Sequence, residues 1–186
     1  MGVMADAAPW SRLRSEVYGL IGRNPRSNRR VPSIATLQAS HAVLDIGCGP
    51  GSAVRVAARS VSRAVGIDRS EAMVEIAQRR SRNFENAEFA VGGAEQLPFP
   101  SATFDRVWSI HSFHHWEDQP QGLAESLRVL RRGGRLLIVE NDTTGSHGLD
   151  LVAANELAGQ LRSMGFVDSS VSKPFRELVV TGVTAS

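Results

Sequence analysis

Asp45, Gly47, Gly49 and Gly51 stand together in the run Val43-Leu44-Asp45-Ile46-Gly47-Cys48-Gly49-Pro50-Gly51, and a second acid, Asp68, follows. Glycines take φ > 0 and let a ligand reach contact distance with the backbone. A carboxylate two residues before the first of them repels a diphosphate but attracts an ammonium or sulfonium. The dinucleotide fingerprint needs its last glycine at position 52, which is Ser52 here, so a pyrophosphate cradle is disfavoured. Asp68 lies about 20 residues past the turn, the distance at which a βαβ unit brings an acid beside a ribose and its two hydroxyls. These residues fit a nucleoside ligand that is cationic on one side. Cys48 reads as a small apolar residue filling a tight turn. A second group, His111, His114 and His115 with Glu117 and Asp118 nearby, has three readings: a general base, a metal site, or packing around the ligand pocket.

Positioning these groups requires strands that end beside one another. His41 to Ile46 is short, apolar and partly β-branched, as suits a strand covered on both faces. Arg63 to Asp68, Ala87 to Val91, Phe104 to Ile110 and Gly134 to Glu140 read as further strands. Between them, Ser52 to Ser60, a helix capped by Ser70 with Met73, Val74 and Ala77 inward, and Gln121 to Leu130 read as helices. Strands alternating with helices imply a parallel sheet. A helix from Leu151 to Met164, ended by Gly165, precedes two strands, Phe166 to Ser172 and Phe175 to Thr184, which form an antiparallel edge hairpin. The expected fold is α/β, a doubly wound, Rossmann-like and mostly parallel sheet.

The amino-terminal 40 residues are expected to form a helical lid or arm on a domain spanning 41–186. Pro9 can open a helix in which Trp10, Leu13, Val17, Leu20 and Ile21 recur at helical spacing. Gly22 to Arg30 reads as a turn-rich basic connector, followed by a short helix around Ser33 to Gln38.

With 186 residues the chain suits one α/β domain. The net charge of +2 is weak and Lys173 is the only lysine, so the composition makes no argument for nucleic acid. A single cysteine excludes an internal disulfide and fits a cytoplasmic protein, and no apolar run approaches membrane length.

The Asp-x-Gly-x-Gly-x-Gly core of 43–51 resembles motif I of the class I S-adenosylmethionine-dependent methyltransferases. Further on come Ala94-Glu95-x-Leu97-Pro98-Phe99, Phe104-Asp105, His114-His115-Trp116 and Arg128-Val129-Leu130-x-x-Gly133-Gly134-Arg135. In that order they resemble the small-molecule branch of that family that includes ubiquinone and menaquinone biosynthesis enzymes. The resemblance covers about residues 43–140. It implies S-adenosyl-L-methionine as methyl donor, held by Asp45, Gly47, Cys48, Gly49, Gly51, Asp68, Arg69, Met73, Gly93, Ala94, Glu95 and Ile110. It also implies a small-molecule acceptor, an anionic one if the arginines of the amino-terminal segment meet it. Position 93 departs from the pattern, because the family usually places an acid there against the adenine. Glu95 is the candidate substitute, and restoring an acid at 93 is expected to tighten binding.

Methyl transfer is an in-line displacement that asks for alignment and desolvation, with no obligatory nucleophile or metal. A base, where the acceptor needs one, is expected among His111, His114 and His115. Phe113 and Trp116 are candidate walls of the acceptor pocket, and Glu140 faces substrate or caps its loop. The Asn/Asp-Pro-Pro-aromatic run of enzymes that methylate exocyclic amines of nucleic acids is missing from Ile110-His111-Ser112-Phe113. The rival reading is a non-catalytic module that binds the same ligand, favoured by Gly93 and by the short span after Glu140.

Overall fold

The computed structural model describes residues 25–144, 147–174 and 176–186. The first helix among these residues, α1 (Pro25–Ile34), lies where the sequence predicts a turn-rich connector. The reason is a spacing of four: Ser27, Val31 and Ala35 are at most 1% exposed and make one buried face, while Arg26 and Arg29 stay on the exposed side. Pro25 suits the first helical turn, where its missing N–H costs nothing. The described part of the amino-terminal segment is therefore built into the domain. The Trp10 to Ile21 stripe lies outside the described residues.

From α1 the chain runs through β1 (Ala42–Ile46), α2 (Ser52–Ala57), β2 (Arg63–Asp68), α3 (Glu71–Arg80), β3 (Ala87–Val91) and β4 (Phe104–Ile110). A 3-10 turn (Phe113–His115), α4 (Gln119–Val129), β5 (Leu130–Asn141), α5 (Leu151–Ser163), β6 (Asp168–Ser172) and β7 (Glu177–Val183) follow. The strands form one sheet in the order β3-β2-β1-β4-β5-β7-β6. The first five are parallel, and β7 inserts antiparallel between β5 and β6. The expected mixed α/β sheet is thus present. Of the carboxy-terminal hairpin only β6 forms the edge.

Each strand alternates its side chains between two cores. Leu44, Ile46, Leu136, Ile138, Leu178 and Val180 pack with α4 and α5 on one face. Val43, Trp108, Leu137, Val139 and Val179 pack with α1 and α2 on the other. Helix starts carry caps: Ser70, as expected, accepts from the Met73 N–H at 3.3 Å, and Asp118 and Asp150, not foreseen as caps, accept from Gln121 at 3.0 Å and Ala153 at 2.8 Å. Asp118, read from sequence as a possible metal neighbour, is a helix cap that moves the start of α4 forward to Gln119.

Phe113 and Trp116 do not line an acceptor pocket. Both are buried, 3% and 9% exposed, and meet edge to face at 5.0 Å within the α4 and α5 core. Their run is apolar because it closes that core beneath the 3-10 turn.

Candidate functional site

The chain changes direction across the sheet at β1, with β2 on one side and β4 on the other, and the site lies at the carboxyl ends of these strands. Gly47, Gly49 and Gly51 all take left-handed conformations, with φ of 73°, 52° and 74°. The turn is tied to β2 by two N–H groups, those of Gly47 and Cys48, which donate to the Ile67 carbonyl at 2.8 and 3.0 Å. Gly47 presses on the loop after β4: a Cβ there would sit 2.1 Å from Ser112 Oγ, and that hydroxyl donates to the Ile46 carbonyl at 2.8 Å. Among the described residues, a Cβ on Gly49 would meet nothing within 4 Å. Cys48 is buried, with Sγ 3.5 Å from the Gly49 carbonyl.

Asp68 closes the other side. One carboxylate oxygen accepts from Gly49 N–H at 2.8 Å and the other from Ser70 N–H at 2.9 Å. Burial pushes its carboxyl up from the ordinary range, and these two N–H groups oppose that shift. Asp45 is 2% exposed and on the α1 face of β1, in register with Gly66 and Trp108. Met73 and Ala94 are buried at 6% and 3%, and Ile110 is half-buried at the end of β4.

An open groove beyond β2 and β3 is lined by Arg69, Val91, Gly93, Glu95 and Leu97. Gly93 has no left-handed φ, so what matters there is space. A Cβ would come within 2.7 Å of Glu95 Oε2 and 2.8 Å of Arg69 Nε. Arg69 pairs with Glu95 at 2.6 Å and with Glu117 at 2.5 Å, and the other Glu95 oxygen accepts from the N–H groups of Glu117 and Asp118. Glu95 is thus committed to holding this loop. An acid restored at 93 would land beside it and compete for Arg69, which removes the ground for expecting tighter binding.

The histidines divide between two carboxylates. His114 Nδ1 lies 2.9 Å from Oε2 of Glu140, a fully buried residue. Burial pushes the Glu140 carboxyl up to about 7, and burial together with His147 pushes the His114 imidazole down. The His115 ring lies 4.0 Å from that of His114, and the His147 ring 5.5 Å. His111 instead meets Glu177 at 3.3 Å and Ser27 at 3.1 Å through Nε2. Sequence reasoning named neither Ser27, Glu177 nor His147, since α1, β7 and the loop after β5 reach this edge only through tertiary packing.

A glycine turn tied to β2, an acid at the end of β2 and a switch point beside β4 define a nucleoside-binding α/β domain of the methyltransferase type. The family model described as a methyltransferase domain matches residues 44–138. The chain belongs to that family, the class I enzymes that use S-adenosyl-L-methionine. It is 38% identical over 117 residues to the 27-O-demethylrifamycin SV methyltransferase of Amycolatopsis mediterranei, covering 61% of this chain and 43% of that one. It is 34% identical over 134 residues to the demethylmenaquinone methyltransferase of Thermotoga maritima, covering 68% and 57%. The chain thus spans about half the length of such relatives. In fold it matches a putative S-adenosyl-L-methionine-dependent methyltransferase of Methanococcus maripaludis, with a TM-score of 0.81, 15% identity, and 100% and 98% of the two chains covered.

The residues present fit this methyl donor. No described residue crowds Gly49, Asp68 offers a half-buried carboxylate to a ribose, and Asp45 supplies negative charge on the β1 side. Asp68→Ala should weaken S-adenosylmethionine binding by about 1.5–3 kcal/mol, because a charged acceptor is lost along with the bond that steadies Gly49. Calorimetry giving the wild-type affinity would remove Asp68 from the site.

Proposed function

We propose that this chain transfers a methyl group from S-adenosyl-L-methionine to a hydroxyl of a small-molecule acceptor, with His114 as general base and Glu140 as the carboxylate that orients it. The observation that carries the reading is the contact of half-buried His114, through Nδ1, with fully buried Glu140 at 2.9 Å, on the same side of the sheet as the glycine turn. The donor, when bound, supplies a methyl group made electrophilic by its sulfonium.

Asp68 and the glycine turn hold the adenosyl part, and Asp45 faces the cationic part. With Glu140 ionised, Nδ1–H donates to it and Nε2 keeps its lone pair. Nε2 would take the acceptor's hydroxyl proton, and the donor held by the glycine turn and Asp68 would supply the methyl carbon and a sulfur leaving group to that oxygen. A hydroxyl suits this arrangement better than a thioether or tertiary amine, which have no proton to give up.

The test is transfer of labelled methyl to a panel of hydroxylated metabolites, beside calorimetric binding of the donor. Donor binding without transfer to any acceptor would turn the reading towards a binding module, and no donor binding would end it.

The amino-terminal segment is the proposed lid, since the span between β5 and α5 is short and the exposed Arg26 and Arg29 on α1 suit an anionic acceptor. Deleting residues 1–24 should spare folding and donor affinity but sharply lower transfer. Deleting residues 1–30 cuts into α1 and removes the buried Ser27, so thermal unfolding should then move to lower temperature. Full turnover after the shorter deletion would eliminate the lid.

A further inference from the structure

We infer that Nδ1 of His111 is a binding group for the ammonium of the methyl donor's amino-acid end, held ready by Ser27 and Glu177. The inference rests on the cofactor assignment above.

Proton accounting around the ring carries it. The Ser27 hydroxyl donates to Glu177 Oε1 in a short bond, which uses the only proton Ser27 has. Ser27 Oγ can then only accept, and its partner at 3.1 Å is His111 Nε2. Nε2 must therefore carry the ring proton, which it also points towards Glu177 at 3.3 Å. In the neutral imidazole that leaves Nδ1 with a lone pair. The atom is buried and has no hydrogen-bond partner among the described residues. A buried acceptor left without a donor is costly, and a ligand donor removes the cost.

The place suits a cation. The His111 N–H donates to the Val139 carbonyl of β5 at 2.8 Å, while its neighbour Ser112 bonds Ile46 of β1 and touches Gly47. His111 thus spans the crevice at the end of β4, beside the turn that holds the donor. Asp45, on the α1 face of the sheet with Ser27 and Glu177, supplies the attraction for positive charge. His111 also has a φ of 51°, an unfavourable value for a residue with a Cβ, of the kind found where packing holds a side chain for a ligand. Two elements far apart in sequence, α1 and β7, are spent on fixing one ring. Ser27 and Glu177 are positioning residues here, since neither is placed against the ligand.

Two ligands separate the ammonium from the rest of the donor. S-Adenosyl-L-homocysteine carries it, whereas 5′-deoxy-5′-methylthioadenosine lacks the whole amino-acid part. In the full-length chain, His111→Phe should weaken the first by about 10- to 100-fold, as expected for a bond to a charged donor, and the second by less than about threefold. His111→Asn, which tolerates φ > 0 and keeps an acceptor near the Nδ1 position, should recover most of the affinity. Loss shared equally by both ligands, or by neither, overturns the inference. Failure of both ligands to bind the wild-type chain overturns the cofactor assignment instead. If His111→Phe does not fold, the wild-type imidazole still reports: its Nδ1 nitrogen resonance should appear unprotonated and shift with S-adenosylhomocysteine but not with methylthioadenosine. An unmoved resonance sinks the idea.

Discussion

His114→Ala is expected to lower kcat for methyl transfer by about 10²–10⁴-fold, the usual worth of a positioned general base, while donor affinity stays within a small factor. Alanine removes the imidazole that takes the acceptor's proton but leaves the glycine turn, Asp45 and Asp68 untouched. The pH profile should carry the mark of Glu140. Below about 7 its carboxyl is protonated and donates to His114 Nδ1, which forces the ring proton onto Nε2 and blocks the base. Above that value the carboxylate accepts from Nδ1–H, Nε2 is bare, and the rate rises.

Stability should run the other way across the same window. The Glu140 carboxyl is raised from 4.5 to about 7 on folding, so the folded chain keeps a proton that the unfolded chain has released. That contribution, on the order of 3 kcal/mol, is fully present below pH 4.5 and is lost as pH rises through about 7. Glu140→Gln should therefore flatten both profiles, slowing transfer yet making the protein more resistant to urea at pH 8. A variant that keeps the wild-type acid limb would take Glu140 out of the mechanism, and wild-type kcat in His114→Ala would do the same for the base.

The second large effect is expected from a single methyl group. At Gly47→Ala the backbone sits at φ 73° and the new Cβ falls 2.1 Å from Ser112 Oγ and 2.5 Å from Ser112 Cβ, too close to the backbone for rotation to relieve. Left-handed strain of about 1–2 kcal/mol adds to overpacking of about 1–3 kcal/mol. Unfolding free energy should fall by about 2–5 kcal/mol on these terms, with donor affinity falling too as the turn shifts against Ser112. Gly49→Ala is the control. It shares the left-handed φ but meets nothing within 4 Å among the described residues, so it should lose only the strain, about 1–2 kcal/mol. Urea midpoints give both values, and equal losses at the two positions would show that strain alone sets the cost.

Much of this was written in local sequence. The strands β1, β2 and β4 read directly because buried parallel strands are mostly apolar, and the glycine turn and Asp68 read because their chemistry depends on spacing within one βαβ unit. The caps at Ser70 and Asp150 and the stop at Gly165 fix helix ends by contacts a few residues apart. Tertiary structure decided the rest. Helix α1 looks like a basic connector until Ser27, Val31 and Ala35 find the sheet that buries them, because three buried positions in three turns carry too little periodicity without a partner surface. Phe113 and Trp116 look like ligand contacts because aromatic residues serve a core and a pocket equally well, and only the fold places them beneath α4. The histidine run could not tell which ring meets which acid. His114 finds Glu140 across 26 residues and His111 finds Glu177 across 66, pairings that exist only because β4 and β5 end, and antiparallel β7 begins, on one side of the sheet.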